Sequence, residues 1–136
     1  KQCAYGNMLT GPAINTFWLN GDIRISPLEQ VQFLEKLYFE HLPFQSKNQA
    51  KVNELMLLEE NGHARLYAKT GWAHFPQQKR NVGWYVGWIE SPEETLVFAY
   101  NCRRGQPVPA DFVPDRIART RACLQRIGWL GKASQP

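Results

Sequence analysis

The sequence predicts an α+β fold in which helices flank one antiparallel sheet. Two helical segments come first, and a hairpin, two further strands and a last helix follow. Sequential strands joined by short connections pair antiparallel, and such a sheet needs helices to cover its apolar surface. The 136 residues correspond to about one domain, and no linker divides residues 1–136.

Helix boundaries are marked by local signals. Ser26-Pro27-Leu28-Glu29 is a capping box with proline at the first helical position, and Ser46-Lys47-Asn48-Gln49 repeats the pattern before a shorter helix that ends near Leu57. The last helix is predicted from Pro114, with arginines facing outward. Its inward side chains are expected to be Ile117, Leu124 and Ile127.

The strand segments are marked by turns and alternation. Asn61-Gly62 suits the positive φ angles of a tight hairpin turn. In "VGWYVGWIE" (82–90) the glycines share one face, so that a helix or another segment can approach closely. "TLVFAYN" (95–101) is apolar on both faces, which is typical of a covered central strand.

Composition excludes several classes of function. The chain is 43% hydrophobic with a net charge of +4, and neither a basic helix motif nor a stacking platform for nucleic acid is present. No signal peptide is visible in "KQCAYGN", and no apolar run is long enough to span a membrane. The three histidines lie far apart, so no metal site and no cofactor are expected. The spacing of Cys3, Cys102 and Cys123 favours free thiols, although one disulfide stays open.

Lys69-Thr70-Gly71 ends a strand candidate with residues suited to an anion. Lys69 and Gly71 share one face and Thr70 takes the other, but strand twist can bring the ammonium and the hydroxyl toward one cleft. Gly71 lets a ligand lie against the backbone, and an edge strand leaves the backbone N–H of Trp72 unpaired. Most lysines at strand ends are merely solvated, so this tripeptide needs further support.

That support comes from a set of motifs in one order. "YGN" (5–7), "FWL" (17–19), "RISPLEQVQFLEKL" (24–37), "KTGW" (69–72) and "VGWYVGWIE" (82–90) follow one another with consistent gaps. Together they resemble the carboxyl-terminal half of a class D serine β-lactamase, the oxacillin-hydrolysing group. The resemblance spans essentially the whole chain. It implies part of a serine β-lactamase or penicillin-binding transpeptidase-like fold.

The resemblance implies roles for single residues. Lys69 would place positive charge near the nucleophile and Thr70 would bind the substrate carboxylate, while the backbone N–H of Trp72 would be an oxyanion-hole donor. Trp18 would donate its indole N–H to a carbamylated lysine that acts as base, and Leu19 would line the pocket beside it. The cleft wall and its supporting hydrogen bonds would include Tyr5 and Asn7.

The guanidinium that meets the substrate carboxylate is assigned to Arg116. A planar, permanently charged donor suits a carboxylate. The stretch "RRGQPVPADFVPDR" (103–116) departs from the family in length and proline content, so Arg103 and Arg104 remain alternatives.

The family's nucleophile motif is absent. None of the four serines is followed three residues later by lysine, as in Ser-x-x-Lys, or two residues later by valine; they are Ser26, Ser46, Ser91 and Ser134. Acylation needs a nucleophile and a base. We therefore expect the isolated chain to be inactive, with the nucleophile and the carbamylated lysine in an amino-terminal half of the same fold.

Several alternatives remain open at this point. A β-lactam sensor domain would acylate without turnover, and an inactive fragment would fold or swap with a partner. The expected partners are β-lactam antibiotics and the amino-terminal half, with a homodimer or a domain-swapped assembly as a further option. The resemblance implies a periplasmic or secreted location.

Overall fold

The computed structural model describes residues 4–12, 14–19 and 22–130. In these residues the elements are α1 (Pro27–Tyr38), α2 (Ser46–Met56), β1 (Leu57–Glu60), β2 (Arg65–Phe75), β3 (Arg80–Glu90), β4 (Thr95–Arg104) and α3 (Phe112–Arg126). The strands form one antiparallel sheet in the order β1-β2-β3-β4. The predicted α+β class is confirmed.

The long hairpin of β2 and β3 is the centre of the sheet. Its pairing runs without a break from Arg65 opposite Glu90 to Phe75 opposite Arg80. A 3₁₀ turn at Pro76–Gln78 and a left-handed Lys79 (φ 45°) reverse the chain. β1 covers only the start of β2, because its pairing ends at Tyr67.

Helices pack on both faces of this sheet. α1 and α2 bury one face in a cluster of Leu34, Leu37, Leu42, Met56, Tyr67 and Trp88. α3 lies on the other face, where the cluster contains Leu66, Ala68, Tyr85, Ile89 and Leu124. Neighbours along a strand point to opposite faces, so Tyr67 and Leu66 belong to different cores.

The first predicted helix start is confirmed and the second is wrong in detail. The Ser26 hydroxyl accepts from the Glu29 backbone, and the Glu29 carboxylate accepts from the Ser26 N–H at 2.8 Å. At α2 the N-cap is Gln45, without a side-chain bond. Gln49 cannot complete a box, because its buried side chain binds backbone atoms of Leu42 and other loop residues.

Two strand predictions also need correction. Neither Asn61 nor Gly62 has a positive φ; instead the Asn61 side chain accepts from the backbone N–H groups of His63 and Ala64, which forms a wider turn. β4 is one of the two edge strands of the described sheet, so the prediction of a central strand from its apolar residues on both faces is wrong.

The last helix begins at Phe112, before Pro114, and ends at Arg126. Leu124 is buried as predicted, but Ile127 follows the last helical residue and is 61% exposed, so helical spacing no longer applies to it. Arg116 is buried against the sheet and does not face outward.

The glycines of β3 behave as the alternation predicts. A Cβ at Gly83 would lie 2.9 Å from Phe112 Cζ and 3.0 Å from Arg116 Nη1. α3 can therefore pack this closely on β3 only because Gly83 has no side chain. A Cβ at Gly87 would collide with the carbonyl of Tyr67 on β2. The contacts at Gly83 lie on the face covered by α3, whereas the close approach at Gly87 is to the backbone of the paired strand β2.

The thiols of Cys102 and Cys123 are free, the first buried and the second exposed. Cys3 lies outside the described residues. Within the described part of the chain no helix has the length and apolar character needed to cross a bilayer.

Candidate active site

The Lys69–Trp72 segment lies on a bare edge of β2. Its residues pair with β3, from Lys69 opposite Val86 to Trp72 opposite Gly83. Since β1 stops at Tyr67, no strand among the described residues covers the outer edge of this segment. Its outward backbone groups are therefore available to a ligand.

The side chains of this segment divide between the two faces as predicted. Lys69 is exposed, and its ammonium donates to the carbonyl of Thr70 at 2.9 Å. Thr70 is half-buried, and its hydroxyl has no hydrogen-bond partner among the described residues. Beside Gly71 the space is open, since a Cβ there would meet only Trp84 Cβ at 3.6 Å.

Arg116 is the least satisfied charged group near this edge. It is 3% exposed, and its Nε and Nη1 atoms are buried without a hydrogen-bond partner. Its guanidinium carbon lies 5.5 Å from the centre of the Phe112 ring, which in turn packs edge-on against Trp72 at 5.6 Å. A buried guanidinium without a counter-charge is costly, so an anion that reached it would be bound strongly.

The two alternative arginines are placed differently. Arg104 lies 3.7 Å from the carboxylate of Asp115, which neutralises part of its charge. Arg103 is exposed opposite Val82, and strand alternation puts it on the face away from α3.

The Tyr5-Gly6-Asn7 segment is held to α1 and to residues 22–24. The Tyr5 hydroxyl donates to Gln30 at 2.8 Å, and burial raises the pKa of Tyr5. The Asn7 side chain accepts from the backbone N–H of Arg24 at 2.9 Å and donates to the carbonyl of Asp22 at 2.9 Å. These contacts attach the segment to the start of α1 and to the residues just before it.

Trp18 and Leu19 are both exposed, at 59% and 46%. The Trp18 ring packs edge-on against Phe17 at 5.1 Å. Across the described residues no hydrogen bond, ion pair or ring contact joins Trp18, Leu19, Tyr5 or Asn7 to the Lys69–Trp72 segment. The structure therefore links Trp72 to Arg116 through Phe112, with Lys69, Thr70 and Gly71 just before Trp72 on the same strand. The other four predicted residues have no such link to this strand segment in the described part of the chain.

A network beside this edge was missed from the sequence. Asn81 on β3 is fully buried, and its Oδ1 accepts from Trp72 Nε1 at 3.1 Å and lies 2.8 Å from His74 Nδ1. His74, one of the three histidines that the sequence showed to lie far apart, also contacts Gln106 at 3.2 Å. An asparagine at the start of an otherwise apolar strand was the available signal.

In the described residues, no group of three or more histidine, cysteine, aspartate and glutamate side chains could hold a metal ion.

Comparison with known proteins identifies the family of this chain. Residues 1–118 match the penicillin binding protein transpeptidase domain. The chain belongs to this transpeptidase family. Beta-lactamase OXA-3 of Pseudomonas aeruginosa is 37% identical over 127 residues, which are 93% of this chain and 43% of that protein. Beta-lactamase OXA-48 of Klebsiella pneumoniae is 41% identical over 97 residues, 71% of this chain and 36% of that protein.

Solved structures agree with the sequence comparison. The class D β-lactamase FUS-1 (OXA-85) of Fusobacterium nucleatum superposes with a TM-score of 0.82 at 36% identity, covering 93% of this chain and 50% of that one. A class D enzyme of Sebaldella termitidis gives a TM-score of 0.83 at 30% identity, covering 93% and 51%. The resemblance to class D β-lactamases is confirmed, and the chain spans about half the length of these relatives.

Proposed function

We propose that this chain supplies the substrate-binding and oxyanion-stabilising part of a class D β-lactamase that opens the β-lactam amide through an acyl-enzyme. One observation carries the proposal: the buried, unpartnered guanidinium of Arg116 beside the uncovered edge at Lys69–Trp72. The similarity to class D enzymes supports it.

Substrate recognition is assigned to charge and hydroxyl groups. The carboxylate of the antibiotic accepts hydrogen bonds from Arg116 and Thr70, and Lys69 adds positive charge beside the nucleophile. A hydrogen bond to a charged group contributes about 1.5–3 kcal/mol. Gly71 lets the substrate lie against the strand, since it has no side chain and a Cβ there would touch only Trp84 Cβ, at 3.6 Å.

Transition-state stabilisation is assigned to the backbone N–H of Trp72. As the carbonyl becomes tetrahedral, its oxygen gains negative charge, and a fixed donor stabilises that charge by about 2.7–4 kcal/mol. Trp18 and Leu19 would serve the carbamylated base, and Tyr5 and Asn7 would support the cleft wall. These four residues lack contacts with the Lys69 edge among the described residues, so the proposal needs a further segment between them.

That segment is the amino-terminal half of the same fold. It would carry the Ser-x-x-Lys nucleophile and the lysine that becomes carbamylated, neither of which this sequence contains. Because acylation cannot start without them, the isolated chain is expected to leave β-lactams intact. The whole protein is proposed to work in the periplasm or as a secreted enzyme, and a homodimer or swapped assembly remains a prediction.

The test uses the completed protein, defined as this chain together with an amino-terminal half of the same fold that carries Ser-x-x-Lys. We expect nitrocefin turnover by the completed protein and none by the chain alone. Arg116→Ala should raise KM by roughly ten- to 150-fold, from the loss of about 1.5–3 kcal/mol of carboxylate binding.

Arg119→Ala is the matched control, because this exposed arginine pairs with Asp115 on the solvent side of α3. Its KM should stay within about twofold of the wild type. A correctly folded completed protein without turnover would overturn the proposal, and an acyl-enzyme that persists for hours would indicate the sensor function instead.

A further inference from the structure

Asn81 connects three parts of the chain through one buried amide. Its Oδ1 lies 3.1 Å from Trp72 Nε1 and 2.8 Å from His74 Nδ1, both on β2. Its Nδ2 donates to the carbonyl of Gly105 at 3.4 Å, in the connection between β4 and α3. The residue itself is 0% exposed and is the second residue of β3, next to the hairpin turn.

The chemistry of these groups fixes the direction of every bond. An indole nitrogen can only donate, so the oxygen of Asn81 must face Trp72. The same oxygen also accepts from His74, so Nδ1 of that ring carries a hydrogen. On the other side of the ring, Gln106 Nε2, which can only donate, lies 3.2 Å from His74 Nε2. The four side chains form one satisfied network.

The network includes the side chain of one residue that the proposed function assigns to the substrate, and it ends in the connection that leads to the helix of the other. Trp72 carries the oxyanion donor on its backbone, and its ring also packs on Phe112 at the start of α3. Gly105 precedes α3, which carries Arg116. A buried amide costs desolvation free energy, and a fully satisfied network offsets that cost by holding its members in one geometry.

We propose that Asn81 is a positioning residue, which holds the Trp72 indole and so fixes the oxyanion-donating backbone relative to the entry of α3. This inference rests on the proposed function. A displacement of about 1 Å at such a donor can lower a rate by about a hundredfold. An apolar residue of the same size would fill the space but would leave Trp72 Nε1 and His74 Nδ1 without an acceptor.

The test compares Asn81→Leu with the wild type in the completed protein. Oxyanion stabilisation acts only in the transition state, so we expect kcat and kcat/KM to fall together by about ten- to a hundredfold, with KM little changed. Asn48→Leu is the matched control, because Asn48 is exposed on α2, and its kinetics should equal the wild type. A rise in KM without a fall in kcat would overturn the proposal.

A second readout does not depend on activity. In the nuclear magnetic resonance spectrum of the chain, the Trp72 indole N–H signal should shift in Asn81→Leu and exchange with solvent at least about tenfold faster. An unmoved signal would overturn the inference even if turnover fails for other reasons. If Asn81→Leu does not fold, Trp72→Phe removes the same bond at a half-exposed position and should reproduce the fall in kcat; an unchanged kcat would reject the proposal.

Discussion

Gly83 and Arg116 share one small space between β3 and α3. A Cβ at Gly83 would lie 3.0 Å from Arg116 Nη1, 2.9 Å from Phe112 Cζ and 3.1 Å from Cys102 Sγ. The Arg116 guanidinium can therefore occupy this position only because residue 83 is a glycine and has no side chain. Because the space beside Gly83 is crowded and the space beside Gly71 is not, alanine substitutions at these two positions should have different effects.

Gly83→Ala should disturb the fold and the proposed carboxylate site together. The contacts of the added methyl group would be shorter than ordinary packing allows. Overpacking of this kind lowers the free energy of unfolding by about 1–3 kcal/mol. Urea denaturation would measure this loss. An unchanged unfolding midpoint would show that α3 can move away from the sheet without cost.

Gly71→Ala should leave the fold intact and impair function. Only Trp84 Cβ, at 3.6 Å, would touch the new methyl group, so the unfolding free energy should change by less than about 0.5 kcal/mol. In the completed protein the methyl group would lie where the substrate approaches the strand, so kcat/KM for nitrocefin should fall at least about tenfold. Equal kcat/KM values for the variant and the wild type would remove Gly71 from the site.

Gln49→Leu should destabilise the loop between α1 and α2. The buried amide of Gln49 accepts from the Leu42 N–H at 3.1 Å and donates to the Phe44 carbonyl at 2.9 Å, among four bonds in all. Buried groups that lose their partners cost about 1–3 kcal/mol, and we expect a loss of about 2–3 kcal/mol in urea denaturation. The exposed Gln32 is the control: Gln32→Leu should change stability by less than about 0.5 kcal/mol.

The capping box at α1 should weaken in acid. Hydrogen bonds from the Ser26 backbone and hydroxyl lower the pKa of Glu29 below its usual 4.5. A lowered pKa contributes stability that is fully present above the unfolded value and is lost as the pH falls through the folded value. The stability difference between the wild type and Glu29→Gln should therefore be constant near neutral pH and shrink below about pH 4.5.

Denaturation curves at a series of pH values would measure that difference. Glu35→Gln is the control, because the Glu35 carboxylate has no hydrogen-bond partner among the described residues. A difference that stays constant into acid would show that the carboxylate does not stabilise the cap in its charged form.

The features that the sequence predicted correctly are those that depend on neighbours in the chain. The box at Ser26 needs only residues 26–29, and strand alternation is enough to place Gly83 and Gly87 on one face. At α2 the same local pattern failed, because the glutamine at its end binds the preceding loop instead. Tertiary contacts decided between two uses of one side chain.

The network at Asn81 could not be predicted because it depends on the register of two hairpins. Asn81 meets His74 only because those residues are paired across β2 and β3, and Gly105 is brought there by the turn after β4. Whether β4 is an edge strand or a central strand likewise depends on which elements lie beside it, and its own sequence does not determine this. Side-chain polarity alone carries no information about pairing partners.

The shortness of β1 has a consequence for solubility. Bare strand edges serve as templates on which other copies can add strands, and proteins guard such edges with charge. Here Lys69 is the exposed cation on the uncovered stretch of β2. Where that edge is uncovered, the Lys69 ammonium is therefore expected to oppose the addition of further strands, and an apolar replacement at this position to favour association through the edge.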